Sequence, residues 1–177
     1  DIRQLHKLEK DYNHDFSGTT SDSRHDLLTG MDSAANISSG PGWDIIKTGK
    51  GKDYIHAGKG NDFIKSGKGN DIALGGSGTD FIHGGRGNDK LIGGAGIDLI
   101  KAGAGQDVVV ISYKNLNSGY DSLVGFTDED TIRLKGFNNP EKLSIQHLAN
   151  KSLLHYGCHV IAAIDTTITF DDHVTVV

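Results

Sequence analysis

The chain is expected to be all-β: a right-handed parallel β-roll of the β-helix type, made of nonapeptide repeats and closed by a C-terminal β-rich cap. Three observations carry this expectation. Eight nonapeptides run head to tail from Ser39 to Val110, typified by AGKGNDFIK (57–65), GGSGTDFIH (75–83) and GGRGNDKLI (84–92). Every unit has Gly at its second and fourth places and Asp at its sixth, giving Asp44, Asp53, Asp62, Asp71, Asp80, Asp89, Asp98 and Asp107. The eighth place is aliphatic throughout: Ile46, Ile55, Ile64, Ala73, Ile82, Leu91, Ile100 and Val109.

Composition sets the bounds. Only 36% of the 177 residues are apolar and 7% are aromatic, too little for a large conventional core. Glycine contributes 25 residues without the every-third spacing and abundant proline of collagen, so it marks turns instead of a fibre. Cys158 is the single cysteine, which excludes an internal disulfide framework. The longest aliphatic run, Val108 to Ile111, is far short of a bilayer span, and no nucleic-acid partner is indicated. The first ten residues lack the apolar core of a secretory signal. The chain begins with Asp, and an upstream portion of a longer protein is expected.

In chain order, residues 1–29 are polar, with a short helical pattern at Ile2, Leu5 and Leu8, and read as a linker or upstream remnant. Residues 30–38 have the length of one unit and place Ile37 one period before Ile46, but lack the aspartate, so they read as a degenerate capping repeat. Within the array, 39–110, the first six places read as Gly-rich turn and the last three as a minimal strand. Alternation turns the eighth place inward and the seventh and ninth outward. Two units then form one coil of 18 residues, and loops two units apart stack at the roughly 4.8 Å spacing of a parallel sheet. Residues 111–177 lose the period and read as a β cap, which an open coil end requires.

Nine inward aliphatic positions cannot offset the entropy of ordering so many glycine-rich residues, and stacking brings carboxylates together, so the array without a cation is expected to be unfolded. A hard divalent ion between stacked loops reverses this. Carboxylates from two coils and the carbonyls of Gly58, Gly60, Gly67, Gly69, Gly76, Gly78, Gly85 and Gly87 supply the oxygen-rich sphere that calcium prefers, whereas the repeats hold no Cys and only two His for zinc. The expected pairs are Asp44/Asp62, Asp62/Asp80 and Asp80/Asp98 on one side and Asp53/Asp71, Asp71/Asp89 and Asp89/Asp107 on the other, for about six Ca2+ ions.

The units match GGxGxDxUx, and the array resembles the calcium-binding module of RTX (repeats-in-toxin) proteins exported by bacterial type I secretion. That resemblance implies a module that stays unfolded in the calcium-poor cytosol, engages the type I secretion machinery C-terminus first, and folds outside the cell. The terminal DDHVTVV is similar to the acidic-then-aliphatic ends of some export signals. Parent proteins of three kinds fit: a toxin, an adhesin that binds a cell-surface ligand, or a secreted enzyme such as an alginate epimerase for which the module binds polysaccharide.

Charge suggests a further partner. The array holds nine Lys or Arg against eight Asp, a formal +1, which about six calcium ions raise to about +13. The remainder of the chain carries nine cations against fifteen anions, a formal −6. A ninth-place ladder of Lys47, Lys65, His83 and Lys101 beside a seventh-place stripe of Ile45, Phe63, Phe81 and Leu99 could face an anionic polysaccharide. No GxSxG, HExxH, phosphate loop or EF-hand loop occurs, so the chain itself is not expected to be an enzyme. His155, Cys158 and His159 in HYGCH read as packing and surface residues of a strand-rich cap.

Overall fold

The computed structural model of the chain describes residues 18–19, 25–29 and 32–177. The helical pattern near Ile2 and most of the polar segment lie outside them, as do Gly30 and Met31 of the capping unit. In chain order the strands are β1 (Gly18–Thr19), β2 (Leu27–Thr29), β3 (Asn36–Pro41), β4 (Ile45–Lys47), β5 (Tyr54–Lys59), β6 (Phe63–Lys68), β7 (Ile72–Ser77), β8 (Phe81–Arg86), β9 (Lys90–Ala95), β10 (Leu99–Ala104) and β11 (Val108–Ser112). They continue with β12 (Asp121–Val124), β13 (Thr131–Lys135), β14 (Leu143–Leu148), β15 (Lys151–Tyr156) and β16 (His159–Ile164), then a one-turn helix α1 (Phe170–His173) and β17 (Val174–Val176).

From β1 to β13, odd and even strands separate into two sheets, because each turn carries the chain across to the opposite face. One sheet runs β1-β3-β5-β7-β9-β11-β13-β17; the other runs β14-β15-β16-β12-β10-β8-β6-β4-β2. Coil neighbours are parallel and 18 residues apart, as in Ile46↔Ile64 and Ile64↔Ile82. The fold is thus a parallel β-solenoid, with the eighth-place column at its centre: Ile37, Ile46, Ile55, Ile64, Ala73, Ile82, Leu91, Ile100 and Val109 are all buried.

Most strands are longer than the three residues the sequence suggests. β5 to β10 each span six, taking in the first three places of the next unit. The first place is core, not turn: Ser39, Thr48, Ala57, Ser66, Gly75, Gly84, Gly93 and Ala102 are all buried. Only a small residue fits between the two sheets there. A Cβ on Gly93 would collide with the Asp98 carboxylate.

The coil extends beyond the eight units. Leu27–Thr29, within the segment assigned from sequence to a polar linker, pairs with β4, and Leu28 is buried beside Ile46. Downstream, β10 pairs with β12 and β11 with β13 at a spacing of 23 instead of 18, so a five-residue insertion is absorbed and the coil resumes. The cap is the antiparallel meander β14-β15-β16, whose β16 joins β12. Phe137 and Tyr156 close that end with Tyr113 in edge-to-face ring contacts. The HYGCH segment is the β15–β16 hairpin turn, with Gly157 at φ 64°. Val174–Val176, in the terminal segment likened to an export signal, pairs with β13.

Candidate metal centre

The turns are shaped by the second and fourth glycines. Gly76 and Gly78 take φ of 119° and 135°, a region closed to side chains, and their counterparts in neighbouring units do the same. A Cβ on either would also run into the carbonyl oxygen of the glycine 18 residues earlier, Gly58 or Gly60. The same relation holds along the stack. The carbonyls of Gly58, Gly60, Gly67, Gly69, Gly76, Gly78, Gly85 and Gly87 each abut the matching glycine of the next coil, so all eight are directed into the gap between stacked turns. The fourth-place N–H is bonded across the gap, as in Gly60 N–H to the Ser77 carbonyl at 2.8 Å.

The sixth place follows at the entrance to each strand, and every one of the eight aspartates is buried, none more than 3% exposed. Their arrangement is a ladder. The backbone N–H of Asp44 donates to Asp62 Oδ1, that of Asp62 to Asp80 and that of Asp80 to Asp98, at 2.8 to 2.9 Å. On the opposite edge the N–H groups of Asp53, Asp71 and Asp89 donate to Asp71, Asp89 and Asp107 over the same range. All six expected pairs therefore stand in contact.

Each Oδ1 is satisfied and each Oδ2 is not. The Oδ2 atoms of all eight aspartates are buried without a hydrogen-bond partner. A buried carboxylate oxygen lacking any partner is costly, and the repetition of one at every turn is the chemical signature of a cation binding row. Among the described residues no three Asp, Glu, His or Cys side chains converge on one point, and the oxygens that stand beside the carboxylates in these turns are the glycine carbonyls. An all-oxygen set of this kind suits calcium.

Electrostatics agree with the geometry. Burial, the largest cause in each case, pushes Asp62, Asp71 and Asp107 up to about 6 and Asp80 and Asp89 to about 7, and drives Asp98 upward too. The N–H bond to Oδ1 opposes the shift, while the facing carboxylate adds to it for Asp62, Asp71, Asp80, Asp89 and Asp107. Without a cation these carboxylates resist carrying their charge.

The pattern of the RTX calcium-binding nonapeptide repeat, in four-copy blocks, matches residues 38–73 and 74–109. Over residues 38–109 the coil is an RTX β-roll. RTX nonapeptide repeats bind calcium, and the RTX coil is a structural calcium-binding module. Among solved structures, the extracellular lipase LipA from Serratia marcescens is similar at 17% identity with a TM-score of 0.35, over 94% of this chain. The chain spans 41% of that lipase. No curated protein sequence matches.

Sequence reasoning missed positions of the ladder outside the eight units. Asp121 and Asp130 continue the ladder after the insertion, accepting from the N–H groups of Asp98 at 3.1 Å and Asp107 at 2.8 Å. Asp26 begins it, accepting from none of the repeats but donating its N–H to Asp44 Oδ1 at 2.8 Å. The signal was present as HDLLT (25–29), GYDSLV (119–124) and DTIRL (130–134), which keep the sixth-place Asp and eighth-place aliphatic residue; of the second- and fourth-place glycines before them only Gly119 is kept.

On the outer surface of the β4-β6-β8-β10 sheet, Lys47↔Lys65↔His83↔Lys101 are direct neighbours across adjacent strands. Two places earlier stand Ile45, Phe63, Phe81 and Leu99, with the Phe63 and Phe81 rings stacked at 4.9 Å. Burial, with Lys101 and Lys65 beside it, lowers the His83 pKa, so its imidazole is neutral at pH 7 and the lysines carry the charge of the ladder.

Proposed function

We propose that this chain is a calcium-triggered folding module of a larger secreted bacterial protein, disordered without calcium and ordered as a β-roll outside the cell. Asp44, Asp53, Asp62, Asp71, Asp80, Asp89, Asp98 and Asp107 would hold about six ions in the six stacked pairs, with the glycine carbonyls completing each sphere. The observation that carries this reading is the row of buried Oδ2 atoms without partners, one at every unit. Calcium supplies the positive charge that makes burial of those carboxylates favourable; the chain supplies rigid turns that aim oxygen inward. Interior aspartates belong to two pairs, so binding is cooperative, and folding and binding are one event. Export through type I secretion, with folding in extracellular calcium, is the role such a switch serves.

Far-UV circular dichroism during a calcium titration from a chelated start, with magnesium as control, tests this. A cooperative coil-to-β transition with calcium alone is expected. Complete β structure at pH 8 in chelator overturns the reading.

A second reading is favoured by the register of the cationic ladder against the apolar stripe: the calcium-loaded coil presents this face to an anionic polysaccharide, as an accessory or adhesive module of its parent protein. Lysines at the roughly 4.8 Å strand repeat match a regular polyanion, and the partly exposed Phe63 and Phe81 rings suit the faces of sugars. Salt-sensitive retention on an anionic polysaccharide column in saturating calcium is the expected result, and no retention sinks it.

A further inference from the structure

We infer that the coil holds a further calcium ion between Asp98 and Asp121, beyond the eight repeats and across the five-residue insertion. The inference rests on reading the repeat aspartates as calcium ligands and extends that reading to a residue outside the family pattern, which ends at 109.

Three observations place the site. Asp98, the last repeat aspartate on this edge, is buried and its Oδ2 has no hydrogen-bond partner. Asp121 faces it, itself buried, with Oδ1 accepting the Asp98 N–H as each interior aspartate does for its predecessor. Strand register relates the two: Leu99 pairs with Ser122 and Ile100 with Leu123, so Asp98 and Asp121 stand at equivalent entrances to neighbouring strands.

The turn before Asp121 is rebuilt to the same end. Gly119 takes φ 117° and stands in register with the fourth-place Gly96 despite the insertion. A Cβ on Gly119 would lie 3.5 Å from the Gly96 carbonyl oxygen, so that carbonyl faces the gap as its counterparts in the array do. The same Cβ would run into the Ile97 side chain, so this position too admits only glycine. The oxygen set is thus two carboxylates and the turn carbonyls, the chemistry of the repeat pairs.

The other edge supplies the contrast. Asp130 accepts the Asp107 N–H, but its Oδ2 is already taken by the Thr127 N–H at 2.7 Å and the Thr127 hydroxyl at 3.1 Å. The preceding turn, Thr127-Asp128-Glu129, has no glycine. Asp130 closes its row through a local turn, whereas Asp121 continues its row through a metal.

Native mass spectrometry of the calcium-saturated full chain counts the ions. Asp121→Asn retains the acceptor for the Asp98 N–H, and a loss of one ion per chain is expected, with Asp130→Asn unchanged. An unchanged count in Asp121→Asn, or an equal loss in Asp130→Asn, overturns the inference. Asp80→Asn separates the two readings. If it sheds ions and Asp121→Asn does not, only the extension fails; if the wild-type chain carries no calcium, the reading of the repeats fails as well. Anomalous scattering from calcium in crystals of the wild-type chain needs no variant: a peak between Asp98 and Asp121 and none between Asp107 and Asp130 is expected, and no peak at Asp121 refutes the site.

Discussion

The backbone N–H of Asp62 donates to Asp80 Oδ1 at 2.8 Å while Asp80 Oδ2 remains buried with no partner. One oxygen of the carboxylate fastens two coils together; the other is held ready for a cation. Asp80 stands in two of the proposed pairs and Asp53 in one. Asp80→Asn is therefore expected to raise the calcium midpoint of folding by about tenfold, equivalent to ~1.4 kcal/mol, and Asp53→Asn by less. Circular dichroism titrations of both variants check the order, and equal midpoints would contradict shared ligation.

Protons and calcium compete for the same burial problem. The metal-free folded coil has carboxylates near 6 (Asp62, Asp71, Asp107) and near 7 (Asp80, Asp89, Asp121), against 3.8 in the unfolded chain. Raised folded-state values mean that the folded state binds more protons. The stabilisation is fully present below about pH 4 and is lost as pH rises through 6 to 7. In chelator, β content is expected to be higher at pH 4.5 than at pH 8. In saturating calcium that dependence should vanish between pH 6 and 8, because both the unfolded chain and the loaded coil carry ionised carboxylates.

The turn glycines and their neighbours separate sharply. Gly78→Ala combines φ 135° with a collision against the Gly60 carbonyl and is expected to cost at least about 2 kcal/mol. Ser77→Ala, one residue earlier and partly exposed, should lie within ~0.5 kcal/mol of wild type. Urea denaturation in saturating calcium measures both.

A buried hydroxyl gives the opposite sign. Ser39 and Thr48 donate their hydroxyls to the carbonyls of Ala57 and Ser66, whereas the Ser66 hydroxyl is buried with no partner. Replacing it with the Ala already found at 57 and 102 removes an unsatisfied group and is expected to stabilise the calcium-loaded coil by about 1 kcal/mol. A lower urea midpoint for Ser66→Ala would contradict this.

For the outer face, the double change Lys65→Glu with Lys101→Glu reverses charge at two rungs of the ladder without touching the core. Polysaccharide retention should be abolished while the calcium midpoint stays near that of wild type. Retention that survives would move the binding surface elsewhere.

The aspartate register and the inward column were legible because both recur at fixed places for 72 residues. Strand length was not. Glycine at the second place reads locally as turn, yet a parallel ladder such as Gly67↔Gly85 enrols it through backbone bonds that need no side chain. The first place misled for a related reason: Ser66 and Gly75 look like loop residues, and only the closeness of the two sheets makes small size a packing requirement there. Asp121 and Asp130 escaped because a five-residue insertion breaks the count, while the structure restores it by pairing Ile100 with Leu123. Pattern reading follows distance along the chain; the coil follows distance along its axis.

The alternation of units between two sheets has a parity. Adding or removing eighteen residues would lengthen or shorten the stack and leave every later side chain on its own wall. A change of nine would send each later unit to the opposite wall; placed between Lys65 and Phe81, it would part Lys47 and Lys65 from His83 and Lys101 and split the aromatic neighbours Phe63 and Phe81 between two surfaces. Counted in whole units, the smallest edit that conserves both faces is a pair of nonapeptides, so the repeats that build the outward columns can be inherited only in even steps.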